Sequence, residues 1–154
     1  MDLNALLPDF NAIGKTDWSK PEVKFDTKDV PGLAAIGGAA LMLIFVFLPW
    51  CKATWLEQTG DVYLGITTWY GILGFIMALV AVAGSLYKQY SFTFWAAVLG
   101  VLFGIIGMIV VPDTSAEELE MAKMLGIKVS HVGAILYFVA SLVAGAGAFL
   151  KATK

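Results

Sequence analysis

Few side chains in this sequence could carry chemistry. With one cysteine, Cys51, and one histidine, His131, the chain can form neither an internal disulfide bond nor a metal site of three or four nitrogen and sulfur ligands. His131 follows Lys128 closely, at the predicted rim of a membrane span, where we expect it to hydrogen-bond a neighbouring group. An axial haem ligand shared with a partner chain is the alternative. We predict that the chain by itself binds no cofactor.

The sequence also lacks the arrangement of side chains that nucleophilic catalysis needs. Ser85 and Ser141 fall in apolar stretches that contain no Lys, His or Asp to activate a hydroxyl group. Glu57 and Asp61 lie in a loop between predicted spans, where carboxylates are usually only solvated. We therefore predict that the protein is not an enzyme.

The composition is that of a membrane protein. Of 154 residues, 59% are hydrophobic and 14% are charged, whereas soluble domains average about 45–50% and about 25%. Lysine is the only basic residue besides the histidine, and the net charge is −2, which leaves no basic surface for a phosphate backbone. We predict the lipid bilayer as a partner and exclude nucleic acid.

Four stretches without charged residues are long enough to be membrane spans, because about 20 helical residues cover about 30 Å of hydrocarbon. The predicted fold class is an all-α integral membrane protein with a four-transmembrane-helix bundle. A cytoplasmic N-terminal segment occupies 1–29 and the transmembrane domain occupies 30–151. The four spans cover about 31–50, 65–87, 92–112 and 129–150.

Two polar segments have patterns of their own. The apolar residues of the N-terminal segment recur at helical spacing, which predicts a short amphipathic helix on the membrane, a strip that docks on a partner, or a loosely ordered tail. Ser115 and Glu118 have capping-box spacing and predict a short extramembrane helix over 116–125, between the third and fourth spans. The apolar N-terminal residues are Leu3, Leu6, Leu7, Phe10 and Ile13.

The loop over 51–65 joins the first two spans and is rich in aromatic residues. Thr59, Gly60 and Asp61 could form the turn of a small hairpin in this loop. Membrane anchoring is the main interpretation of the aromatic residues, because amphipathic rings favour headgroup depth. A platform for a partner or ligand is the alternative. The cluster consists of Trp50, Trp55, Tyr63, Trp69 and Tyr70.

Small residues form rows on the last two spans. Such rows let helix backbones approach each other, which drives association in lipid. Packing within the bundle is the main interpretation, and a contact with another subunit is the alternative. The rows are Gly100, Gly104 and Gly107 on the third span and Ala140, Ala144 and Ala148 on the fourth.

Lysine distribution predicts the orientation, since cytoplasmic flanks hold the excess of positive charge. An even number of spans puts both termini on one side, and seven lysines fall on that side against three on the other. We predict a bacterial inner membrane protein with cytoplasmic N- and C-termini. The seven are Lys15, Lys20, Lys24, Lys28, Lys88, Lys151 and Lys154, and the three are Lys52, Lys123 and Lys128.

The chain has four predicted spans, Pro49 and Trp50 at the end of the first span, and an aromatic outer loop. This architecture resembles that of tetraspan proteins of the claudin type. The short amphipathic segment before the first span is similar to that of connexin-like channels. The paired cysteines of those outer loops are absent, because Cys51 stands alone. We predict a non-enzymatic subunit that scaffolds or stabilises a larger membrane assembly of like or unlike chains. The alternative is a homo-oligomeric pore with the N-terminal segment at its cytoplasmic mouth.

Overall fold

The computed structural model describes residues 28–55, 58–110, 117, 120–121, 124–126 and 128–153. The described chain is mostly helical, as predicted. Three of its helices are long and apolar enough to cross a membrane, and a fourth apolar helix is shorter. In chain order the apolar helices are α1 (Val30–Phe45), α2 (Trp69–Leu86), α3 (Tyr90–Ile109) and α4 (Val132–Ala152).

Local sequence sets where two of these helices begin. The Asp29 carboxylate accepts a hydrogen bond from the Gly32 N–H at 3.2 Å, and Pro31 occupies the first turn, where its missing N–H costs nothing. The Thr68 hydroxyl caps α2 in the same way, accepting from the Gly71 N–H at 3.0 Å. These polar caps fix the helix ends beside otherwise apolar sequence.

The first helix ends earlier than the span predicted for about 31–50. It stops at Phe45, and the chain turns over 46–48 before it enters a strand. The Trp50 indole Nε1 donates to the Phe45 carbonyl at 2.8 Å, so a carbonyl at the helix end is satisfied from outside the helix. The other three helices begin and end within a few residues of their predicted spans.

A three-stranded antiparallel sheet corrects the all-α prediction. Its strands are β1 (Pro49–Trp55), β2 (Gln58–Leu64) and β3 (Lys128–Ser130), in the order β2-β1-β3. The hairpin predicted as possible in the first loop is present. Because Trp55 pairs with Gln58, the two strands are connected through 56–57 and not through 59–61. A short 3-10 helix, Gly65–Thr67, links β2 to α2.

Two predicted polar elements lie wholly or partly outside the described residues. The amphipathic helix or tail falls within 1–27, which the structure does not describe. Half of the helix predicted over 116–125 is also outside, and of its described residues Glu117, Glu120, Met121 and Met124 are helical.

The four apolar helices pack side by side in a ring. Helix α4 contacts α1 and α3, and α2 contacts the same two helices. The core between them is rich in alanine and glycine, whereas isoleucine, leucine and valine side chains cover the outward faces. The sheet lies at one end, called the sheet end below. The other end holds the start of α1, the turn between α2 and α3, and the end of α4, and is called the terminal end.

Candidate functional site

Three aromatic rings meet in the core near the sheet end and form what we call the aromatic centre: Trp50, Tyr70 and Tyr137. All three are almost completely buried. The Trp50 ring stacks on Tyr70 with 6.0 Å between centroids and tilts against Tyr137 at 4.9 Å. The centre thus joins the start of β1 to helices α2 and α4.

Glycines from three elements leave the space that Trp50 occupies. A Cβ atom placed on Gly65, Gly107 or Gly133 would lie 2.6–2.7 Å from the Trp50 ring, closer than a carbon atom can pack. These residues belong to the 3-10 helix, α3 and α4, respectively. Only glycine lets their backbones approach the ring this closely.

The hydroxyl groups of the two tyrosines differ in their hydrogen bonding. The Tyr137 hydroxyl donates to the Gly74 carbonyl at 2.7 Å, which ties α4 to α2 across the core. The Tyr70 hydroxyl is buried and has no hydrogen-bond partner among the described residues. The aromatic centre therefore joins its elements through ring contacts and through two hydrogen bonds to backbone carbonyls, those of Phe45 and Gly74.

His131 and Cys51 border the aromatic centre. His131 Nδ1 lies 3.0 Å from the Trp50 carbonyl oxygen, which confirms the expected hydrogen bond to a neighbouring group and ties the start of α4 to β1. Cys51 is 2% exposed, and burial raises the pKa of its thiol. Among the described residues, no group of three or more His, Cys, Asp or Glu side chains could hold a metal ion.

The structure places the predicted glycine row of α3 against other helices of the same chain. A Cβ atom on Gly100 would meet the Met42 and Ser141 side chains at 2.7 and 2.9 Å. One on Gly104 would meet the backbone of Phe138 at 3.2 Å. The third member, Gly107, faces the aromatic centre described above.

The alanine row of α4 is also buried inside the chain. Ala140 and Ala144 face α1, where the Ala144 backbone N would lie 2.5 Å from a Cβ atom on Gly38. Ala148 is fully buried. Both rows therefore lie at contacts between helices of one chain.

The predicted aromatic cluster does not act as one surface. Trp50 and Tyr70 belong to the core, whereas Trp69 is 61% exposed and packs edge-on against Tyr70 at 5.4 Å. Tyr63 is partly buried in β2, and the side chain of Trp55 lies outside the described part of the chain. The signal in the sequence that could indicate the burial of Trp50 is the presence of Gly65, Gly107 and Gly133 on the neighbouring elements.

The terminal end is held by polar contacts. Lys151 Nζ lies 2.9 Å from the Asp29 carboxylate and 5.6 Å from the centre of the Tyr90 ring, which joins the ends of α1, α3 and α4. The hydroxyl groups of Ser85 and Thr93 are 3.2 Å apart, and Thr93 donates to a backbone carbonyl of α2. All of these contacts connect helix ends.

The apolar helices and their outward hydrophobic faces define the class: this is a helical integral membrane protein. No protein-family model, curated protein or solved structure matches the chain.

Proposed function

We propose that the chain is a small non-enzymatic membrane subunit that spans the bilayer four times and stabilises a larger membrane protein assembly. The observation that carries this proposal is the use of polar groups in the core. The Ser141 hydroxyl donates to the Tyr137 carbonyl at 2.8 Å, and the hydroxyls of Thr93 and Tyr137 also donate to backbone carbonyls. These groups are occupied by structural contacts, which suits a scaffold.

Packing along α4 supports a spanning role for the short α1. Its 16 residues extend about 24 Å at 1.5 Å per residue. At the terminal end Asp29 contacts Lys151, and at the sheet end the Pro49 carbonyl lies against Gly133. The segment 29–49 thus runs beside nearly the whole of α4, so a bilayer that accommodates α4 also accommodates α1.

The apolar exterior favours a subunit over a homo-oligomeric pore. A water-filled lumen built from several copies needs polar groups on its wall. The described outward face of α2 instead carries Ile72, Ile76 and Leu79, each more than a third exposed. Such a face suits contact with lipid or with another apolar helix.

Native purification in mild detergent tests the proposal. A tagged chain should copurify with unlike membrane chains, a tag on the identified partner should return this chain, and deletion of this chain should lower the partner's abundance. A discrete multiple of 16.5 kDa without unlike chains would instead support the pore. A mass of 16.5 kDa alone would contradict both functions.

We further propose that the terminal end faces the cytoplasm of a bacterial cell, as the lysine distribution predicts. Cys51 is too buried for labelling, so the test starts from Cys51→Ala. Val62→Cys at the sheet end and Lys28→Cys at the terminal end both replace exposed residues. A membrane-impermeant maleimide added to intact cells should label the first and not the second. The opposite pattern would invert the orientation.

A further inference from the structure

A groove on the outer surface between α3 and α4 remains unexplained by the packing of the helices. It measures about 480 Å³ and lies on the half of the two helices nearer the terminal end. The groove exists because Gly145 has no side chain, and a Cβ atom there would touch only the Ala97 methyl group, at 3.3 Å. Its walls include Phe94, Val98, Val101, Leu142 and Phe149.

The chemistry of the walls restricts the occupant to hydrocarbon. Ser141 is the one residue with a polar side chain in the lining, and its hydroxyl already donates to the Tyr137 carbonyl. A polar ligand would find no partner for its own hydrogen-bonding groups and would lose hydration on entry. The groove therefore suits an apolar chain in contact with the bilayer.

The size of the groove favours an acyl chain over a helix of a second copy. From Phe94 to Val101 the groove follows about 10 Å of α3. A spanning helix is about 30 Å long and about 10 Å across, so the groove would meet it over only about a third of its length. A single acyl chain is narrow enough to enter.

Charge at the terminal end indicates the headgroup. Lys151 follows the lining residue Leu150 directly. Among the described residues, the charged side chains at the terminal end are Lys28, Lys88 and Lys151 against Asp29, a net charge of +2. Basic residues at the membrane surface attract anionic lipids.

We propose that this groove binds one acyl chain of an anionic phospholipid whose headgroup lies beside Lys151 at the terminal end. The inference requires only a membrane location. It is independent of whether the chain is a subunit of a larger assembly.

Filling the groove tests the binding of the acyl chain. The protein is reconstituted with equal amounts of phosphatidylglycerol and phosphatidylcholine of identical acyl chains, extracted in mild detergent and examined by native mass spectrometry. We expect one retained phosphatidylglycerol per chain, and at least about tenfold less after Gly145→Phe. Gly37→Phe is the matched control, because a Cβ atom at Gly37 meets nothing within 4 Å on the exposed face of α1.

A second variant protects the test against misfolding of the first. Val98→Phe fills the groove from the opposite wall, where the side chain is 41% exposed, and Val80→Phe on α2 is its control. Thermal melting identifies the folded variants. Retention of the lipid by a folded variant with a filled groove would overturn the proposal. The proposal would also be overturned if the unaltered protein were a dimer of 16.5 kDa chains and these variants dissociated it.

Two charge variants test the headgroup. Lys151→Gln should lower the preference for phosphatidylglycerol over phosphatidylcholine by about fivefold, the factor expected for one basic residue near the surface. Asp29→Asn should raise the preference, because it removes the carboxylate that neutralises Lys151. If the ion pair between Lys151 and Asp29 had only a structural role, both variants would change the lipid preference in the same direction. Equal retention of the two lipids by the unaltered protein would also contradict the proposal.

Discussion

Replacing Trp50 with alanine should lower the free energy of unfolding by about 3–5 kcal/mol, the range for large aromatic truncations in a packed core. The ring fills a space bounded by backbone at three glycines, and those backbones cannot collapse into the cavity without moving whole elements. The substitution also removes the indole donor that satisfies the Phe45 carbonyl. Reversible unfolding in mixed micelles with increasing denaturing detergent measures the loss.

Trp69→Ala is the matched control for Trp50→Ala. Trp69 is 61% exposed, so its removal should change the free energy of unfolding by about 0.5 kcal/mol or less. Trp50→Phe separates the ring from the hydrogen bond and should cost less than the alanine variant. Equal losses from Trp50→Ala and Trp69→Ala would show that the aromatic centre does not hold the fold.

Gly38→Leu should destabilise the chain by about 3 kcal/mol, at the upper end of the range for overpacked cores. A Cβ atom at Gly38 would lie 2.5 Å from the Ala144 backbone N and 2.9 Å from the Ala140 carbonyl oxygen. Backbone atoms of a packed helix cannot rotate aside as a side chain can. Relief therefore requires that α1 and α4 separate, which thermal melting in detergent should report.

The neighbouring glycine provides the control for this prediction. A Cβ atom at Gly37 meets no atom within 4 Å, so Gly37→Leu should change stability by no more than about 1 kcal/mol. The two variants have the same composition and differ only in which face of α1 carries the new side chain. Similar melting temperatures for the two would contradict the close contact between α1 and α4.

The long apolar helices were predictable because each depends on a property of its own sequence. Charged residues bound the predicted spans, and hydrocarbon thickness sets the length that an uncharged stretch must have. The helices α2, α3 and α4 follow these limits closely. The end of α1 does not follow these limits, because it depends on the Trp50 indole and on strand pairing in β1. Both are contacts outside the helix.

The sheet was predictable only in part for the same reason. The turn residues at 59–61 favoured a hairpin near 51–65, but the register is decided by which residues pair, and Trp55 pairs with Gln58. The third strand, Lys128–Ser130, has no local signal of its own over three residues. It forms where the chain between α3 and α4 returns beside β1, with Lys52 opposite Ser130.

By itself, the sequence determined that this is an apolar helical membrane protein with small residues repeated along its spans, because hydropathy and spacing are local properties. Tertiary structure decided what each small residue contacts. Gly37 and Gly38 are adjacent and identical in type, yet one faces open space and the other the backbone of α4. Likewise, Trp50 and Trp69 both lie within predicted spans, close to their ends, and only the first is buried. The physical reason is that burial and close approach depend on the rotation and neighbours of each helix, which only the assembled fold defines.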